Sequence, residues 1–201
     1  MVLNIPQQIE NWATSPVQLR RIARALVLNG GWEVWAQVEL AVHLKRELAK
    51  GYFVDREVMG YGASRKADHF IVHITDPQNP EHDEPNQVIE LKCQTVKSEA
   101  SRFTSEVEKD IAKIIEASEA SEVSEASEVS EAGEISEDSR IKGDTQFWVV
   151  VFTIDDDMRV KIDKVLEESV LEYLGPRHVG YWDEEGQKGE LTLLAASVKN
   201  Y

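Results

Sequence analysis

The stretch Gln87-Val-Ile-Glu-Leu-Lys-Cys93 decides the fold, because its apolar residues predict a buried strand that nevertheless carries two charges. Successive side chains of a strand point to opposite faces, so Glu90 and Lys92 share one face while the apolar Ile89 lies on the other. An acid and a lysine therefore lie side by side on a strand of the core. A charge in that position is costly unless it is paired.

The segments around this strand predict an α/β fold. Two helices come first, at about 15–28 and 32–50, and the second is apolar around most of its circumference, which predicts that it is largely buried. Two strands then precede the central one, and a helix, a strand, a helix and two short strands follow it: 53–59, 66–74, 102–117, 146–154, 158–174, 179–182 and 191–198. This order predicts a mixed β-sheet flanked by helices. Gly175-Pro176 is expected to end the helix 158–174.

Length and composition indicate one domain over residues 1–201, since 201 residues with 42% apolar content supply a sizeable core. No apolar run approaches the roughly 20 residues that span a bilayer, and the amino terminus lacks the pattern of a secretory signal. The single Cys93 excludes an internal disulfide framework and a multi-cysteine zinc site. We therefore expect a cytoplasmic protein that does not engage a membrane.

Residues 116–139 form a low-complexity acidic insert, in which Glu recurs at every third position up to 137. A period of three drifts around a helix of 3.6 residues per turn, and like charges three apart repel each other on a helix. We expect a solvated helical extension or a flexible loop with no catalytic role, and a partner-binding acidic arm is the alternative. Nine of the charges behind the net −15 lie between Glu116 and Asp138, which leaves −6 for the rest. That net charge disfavours a protein that binds nucleic acid without regard to sequence over its whole surface, but it permits a local basic groove.

Two more carboxylates fall in elements that otherwise belong to the core. Asp68 lies at the beginning of the second predicted strand, and Glu39 lies within the apolar run 38–42 of the second helix. Carboxylate oxygens are the ligands that a hard cation such as Mg²⁺ or Mn²⁺ prefers. Such a cation polarises a phosphodiester and activates a water, and an adjacent lysine orients that water or stabilises the developing charge.

This set resembles the PD-(D/E)XK, or restriction-endonuclease-like, nuclease superfamily. The resemblance rests on the helical Glu39, on Asp68 at the start of a strand, and on the triplet Glu90-Leu-Lys92 of the next strand, which a helix and another buried strand follow. The order of elements, α-β-β-β-α-β, covers about residues 32–154 and implies a restriction-endonuclease-like core. Ala67 stands where the motif has a proline, a replacement that the family tolerates.

The resemblance implies a metal centre with assigned roles. Asp68, Glu90 and the Leu91 carbonyl are expected to bind the metal. Lys92 is expected to serve the attacking water, and Glu39 to complete the site directly or through a water. The implied activity is Mg²⁺- or Mn²⁺-dependent hydrolysis of phosphodiester bonds in nucleic acid, DNA in preference to RNA. A homodimer is expected, because a cut in both strands needs two sites and twofold symmetry supplies them.

A function of a different class stays open, namely a non-catalytic binding or regulatory module that keeps the same fold. The geometry of the carboxylates discriminates between the two. Asp68 and Glu90 carboxylates that converge on one point favour the enzyme. Carboxylates that point apart, or a Lys92 buried against an unrelated acid, favour the module.

Three other side chains have alternative interpretations. Gln94 extends the face of the central strand and could touch substrate, but we favour a structural role at the strand end. His69 and His73 share the other face of their strand. A zinc or manganese site there is a minor alternative, because a metal needs a third ligand that the sequence does not place nearby.

Overall fold

The computed structural model describes residues 4–27, 32–48, 52–58, 67–73, 85–125, 145–184 and 187–198. Its helices are α1 (Ile5–Thr14), α2 (Pro16–Leu26), α3 (Glu33–Glu47), α4 (Ala100–Glu125) and α5 (Asp156–Glu168). Its strands are β1 (Tyr52–Val58), β2 (Ala67–His73), β3 (Asn86–Cys93), β4 (Thr145–Thr153), β5 (Glu172–Glu184) and β6 (Gln187–Ser197). The predicted α/β class, with a mixed sheet and flanking helices, is confirmed.

The six described strands form one sheet in the order β1-β2-β3-β4-β6-β5. The pair β3 and β4 is parallel, whereas all other neighbours are antiparallel. Parallel neighbours need a crossover connection, and α4 lies in the segment between them. The motif-bearing strand β3 is therefore interior, between β2 on one side and β4 on the other.

Helices cover both faces of the sheet, so the molecule has three layers. Helices α1, α2 and α3 pack on the face that carries Ile89 and Leu91 of β3. Helices α4 and α5 pack on the opposite face, which carries Val88. Because Glu90 and Lys92 alternate with Ile89 and Leu91, they lie on the face that α4 covers.

Helix α1 was not predicted; the helix predicted to begin at Ser15 is present as α2, so it is the second helix rather than the first. The Oδ1 atom of Asn4 accepts a hydrogen bond from the Gln7 amide at 3.0 Å and caps α1. Pro6 lies in its first turn, where its missing N–H costs nothing. The helix is stable in context because it buries apolar side chains on the sheet: Ile5, Ile9, Trp12 and Ala13.

The prediction that α3 is largely buried was wrong in part. One side of the helix, with Leu40 and Leu44, is fully buried, but Val34, Val38 and Val42 are 64%, 42% and 58% exposed. These three valines are spaced four residues apart and lie on one face. Apolar content around the whole circumference therefore reflected an exposed valine stripe rather than burial on all sides.

The region after α5 also differs from the prediction. The helix was expected to reach residue 174 and to stop at Gly175-Pro176, but it ends at Glu168. The pair instead lies inside β5, where Gly175 has a φ of +78° and the register with β6 shifts between Tyr173 and Pro176. A glycine tolerates this positive φ, so the pair makes a β-bulge here rather than a helix stop.

The acidic insert begins within α4, which continues to Glu125. The predicted helical extension is thus observed for residues 116–125, and residues 126–144 lie outside the described part of the chain. Among the described helices, none is both long enough and apolar enough to cross a membrane.

Candidate functional site

The start of α3 is fastened to the end of β3. The indole Nε1 of the fully buried Trp32 donates to the carbonyl oxygen of Gln94 at 2.7 Å, although the two residues are 62 positions apart. This contact places Glu33, the first residue of α3, against the last residues of β3. A carboxylate in the first turn of a helix is also favoured by the helix dipole.

Two carboxylates accept hydrogen bonds from backbone amides near the carboxyl end of β3, beside the first residues of β2. The Oδ2 atom of Asp68 accepts from the Leu91 amide at 2.8 Å, and the Oε2 atom of Glu33 accepts from the Cys93 amide at 3.1 Å. In an extended strand the carbonyl of a residue faces the same side as its N–H. The Leu91 carbonyl therefore faces the edge where Asp68 lies, as the resemblance requires of a metal ligand.

Lys92 lies between two acids from different helices. Its Nζ atom is 3.2 Å from Oε1 of Glu33 and 3.5 Å from Oδ2 of Asp110 on α4. Burial by itself lowers the pKa of the ammonium, but Asp110 and Glu33 outweigh it and raise that pKa above its usual range. Lys92 is therefore protonated throughout the neutral range.

Glu90 has a different partner. Its side chain is 4% exposed, and its Oε1 atom accepts from Nζ of Lys113 on α4 at 2.6 Å, a short charge-assisted hydrogen bond. The antiparallel register, in which His69 faces Ile89, brings Asp68 beside Glu90 on the neighbouring strand. The two predicted carboxylates are thus neighbours, with Glu90 bonded to a lysine.

The cluster has more negative than positive groups. Four carboxylates (Glu33, Asp68, Glu90 and Asp110) surround two ammonium groups (Lys92 and Lys113). Burial raises the pKa of the Glu33 and Asp110 carboxyls, and the lysines offset this only in part. Within the described part of the chain, the buried Oδ2 of Asp110 has no hydrogen-bond partner, and the Lys92 ammonium lies 3.5 Å from it.

These features fit a hard divalent cation in chemistry, because all the donors are oxygens and two negative charges are in excess. As the side chains stand in the described residues, no three His, Cys, Asp or Glu groups converge closely enough to hold a metal ion. The carboxylates that could bind a cation thus lie on neighbouring helices and strands, and one of them, Glu90, is paired with Lys113.

The structure does not bring Glu39 into this cluster, and its described partners lie on α2 instead. Its Oε2 atom accepts from Arg21 at 3.1 Å and from Gln18 at 3.4 Å, both on α2. Glu39 lies six residues along α3 from Glu33, so the two side chains leave the helix in different directions. The guanidinium of Arg21 on α2 pairs with this carboxylate, which lies within the apolar run 38–42.

Gln94 is structural, as the sequence favoured. It is 3% exposed, its Oε1 accepts from the Ile154 amide at 2.8 Å, and its Nε2 donates to the Asp155 carboxylate. Asp155 in turn caps α5 by accepting from the Met158 amide at 2.8 Å. Cys93 is buried, as expected, and burial raises the pKa of its thiol. For His69 and His73 the structure describes the backbone in β2 but not the side chains, so the histidine-site alternative stays untested.

A cleft of about 540 Å³ opens beside the cluster, at the carboxyl end of β3. Glu33 and Cys93 line it on the side of the cluster, and Arg102 and Lys97 line it on the side of α4 and the segment before it. The side chain of Arg102 is 80% exposed, and it forms an ion pair with Glu106. The cleft thus leads from solvent to Glu33 past two basic side chains, and two further acids, Glu99 and Glu106, also line it.

Comparison of the chain with family models, with curated proteins and with solved structures finds no match.

Proposed function

We propose that this protein is a metal-dependent nuclease of the PD-(D/E)XK class, which hydrolyses phosphodiester bonds of nucleic acid, DNA in preference to RNA. The observation that carries the proposal is the juxtaposition of Asp68 with the triplet Glu90-Leu-Lys92, at 2.8 Å between Asp68 Oδ2 and the Leu91 amide. The order α3-β1-β2-β3-α4-β4 around that point agrees with the restriction-endonuclease-like core that the sequence resembles.

Asp68, Glu90 and the Leu91 carbonyl would hold the cation, Mg²⁺ or Mn²⁺. Glu33 takes the role that the sequence assigned to Glu39, because it is the helical acid that reaches the end of β3. A cation bound there supplies Lewis acidity to the scissile phosphate and to the attacking water.

Lys92 is the residue best placed to act on the reacting groups. Glu33 and Asp110 fix its ammonium from two sides, so the charge is pre-oriented before substrate arrives. A fixed ammonium orients a water by hydrogen bonding and stabilises the negative charge that develops on the phosphate. Lysine suits this role because it presents a compact point charge.

The cleft beside Glu33 is the proposed path of the nucleic-acid backbone. Arg102 and Lys97 would contact phosphates there, where basic side chains position a strand without reading its sequence. Cleavage of both strands would need two copies of the site, and a homodimer is the simplest arrangement that supplies them.

Replacement of Arg102 with alanine tests this path. We expect duplex DNA to bind about threefold to tenfold more weakly and the dependence of log affinity on log salt to become shallower by about one, because one phosphate contact is lost. Fluorescence anisotropy with Ca²⁺ in place of Mg²⁺ measures both. The control is Lys109→Ala, an exposed α4 residue that does not line the cleft. Equal losses in the two variants would argue against the cleft as the path.

The direct experiment is a cleavage assay of the full chain on supercoiled plasmid, linear duplex, single-stranded and branched DNA, with RNA alongside. We expect strand cleavage with Mg²⁺ or Mn²⁺ and none with a chelator, because the proposed mechanism requires the cation. Absence of cleavage on every substrate with either metal would overturn the proposal.

The second candidate, a non-catalytic module, is favoured by the criterion given in the sequence analysis, since Lys92 is paired with two acids outside the predicted set. Glu90 is likewise paired with Lys113, and Asp68 satisfies a strand-edge amide. Each group thus has a structural partner without any metal. Such a module would bind nucleic acid or a protein partner without cutting, so binding without cleavage in the same assay would support it.

A further inference from the structure

The contact between Lys113 and Glu90 has a role that the motif resemblance does not assign. Glu90 is almost fully buried, and a buried carboxylate is strongly destabilising unless a cation or hydrogen-bond donors compensate it. Lys92, two residues away on the same face, is held by Glu33 and Asp110. Lys113 forms the described ion pair with Glu90, at 2.6 Å.

The packing of α4 fixes the backbone position of Lys113, while its ammonium group can move away from Glu90. Apolar residues of α4 bury one side of the helix against the sheet, and they flank Lys113 along the chain: Phe103, Val107, Ile111 and Ile114. The lysine side chain is 21% exposed and has four methylene groups, so its ammonium can move toward solvent without a shift of the helix.

We propose that Lys113 is a tethered counter-ion that competes with the divalent cation for Glu90. This inference rests on the proposed function, because it assumes that Glu90 is a metal ligand. In the metal-free protein Lys113 keeps Glu90 neutralised and the fold intact. When the cation binds, Glu90 exchanges the ammonium for the metal. The affinity for the metal is then reduced by the fraction of molecules in which Lys113 holds Glu90.

A calorimetric Mn²⁺ titration of the full chain tests the competition. We expect Lys113→Met to bind Mn²⁺ at least about tenfold more tightly than the wild type, because both a competitor and a like charge beside the metal are removed. Lys109→Met is the matched control, since it removes an exposed lysine of the same helix, and its affinity should stay within about twofold of the wild type.

Loss of the ion pair between Lys113 and Glu90 lowers the stability of the fold, so Lys113→Gln is the second variant. Glutamine removes the positive charge but can still donate a hydrogen bond to the carboxylate. It should also bind Mn²⁺ more tightly, and the melting temperature of either variant should rise more on addition of Mn²⁺ than that of the wild type.

The outcomes separate this inference from the proposed function. Mn²⁺ binding by the wild type with equal or weaker binding by Lys113→Met and Lys113→Gln would overturn the counter-ion role and leave the metal site standing. Failure of the wild type and all variants to bind Mn²⁺ would overturn both.

Discussion

Replacing Lys92 with methionine is expected to reduce metal-dependent DNA cleavage by about a thousandfold, because it removes the fixed charge that acts on the water and the phosphate. Methionine keeps most of the side-chain volume and cannot donate a hydrogen bond. Initial rates of plasmid nicking with saturating Mg²⁺ measure the effect. Lys109→Met, an exposed change on α4, should cut at the wild-type rate. A Lys92→Met protein that cuts within about tenfold of the wild type would exclude the assigned role.

The same substitution should destabilise the metal-free protein in a pH-dependent way. Glu33 and Asp110 would keep their buried charges and lose their nearest cation. We expect a loss of about 3 kcal/mol in the free energy of unfolding near neutral pH.

The sign of the pH dependence follows from the two carboxyls. Their pKa values are already raised in the folded protein, and loss of Lys92 raises them further. When the pKa of a carboxyl is higher in the folded than in the unfolded protein, the free energy of unfolding falls as pH rises from the unfolded pKa towards the folded one. The loss in the free energy of unfolding caused by Lys92→Met should therefore be small near about pH 4 and should grow towards neutral pH. Urea unfolding at both ends of this range measures it, and a deficit independent of pH would contradict the described ion pairs.

Replacing Gln94 with leucine is expected to lower the free energy of unfolding by about 2–4 kcal/mol, because it leaves the buried Ile154 amide without its acceptor and removes the Gln94 donor from the Asp155 carboxylate. Chemical denaturation measures the loss. The matched control is Gln7→Leu on the exposed side of α1, which should change stability by less than about 0.5 kcal/mol. A loss at Gln94 as small as that of the control would mean that its hydrogen bonds do not hold the ends of β3 and β4 together.

Local patterns predicted the central part of the fold because each pattern reports on its own neighbourhood. The apolar run in β4 and the alternation in β3 follow from burial against helices on both faces. Gly175-Pro176 misled the prediction because the same dipeptide suits a helix stop and a β-bulge. Only the pairing of β5 with β6 decides between them.

The candidate site was predictable on the strands and not on the helices. Asp68 and the 90–92 triplet are close because strand register brings them together. Glu33 was missed because its place depends on the contact of Trp32 with Gln94, which no local pattern reports. Glu39 was chosen for its apolar neighbours, but Arg21 of α2 satisfies it.

The α4 residues of the cluster were also missed as a pair, yet the sequence holds a signal for one of them. Asp110 lies three residues after Val107 and four before Ile114, the spacing of the side of α4 that faces the sheet. An acid at such a position is buried, and a buried acid needs a partner. The sequence around Lys113, by contrast, is that of an ordinary solvated helix surface, and only the structure reveals the ion pair of Lys113 with Glu90.

A calorimetric Mn²⁺ titration of the wild type, Asp68→Asn and Glu39→Gln tests the central claim most directly. Asparagine keeps an oxygen acceptor for the Leu91 amide while removing the charge that a cation requires. The account predicts saturable binding by the wild type, at least about tenfold weaker binding by Asp68→Asn, and binding within about twofold of the wild type by Glu39→Gln. No binding by the wild type, or equal affinities of Asp68→Asn and Glu39→Gln, would contradict a metal centre at the junction of β2 and β3.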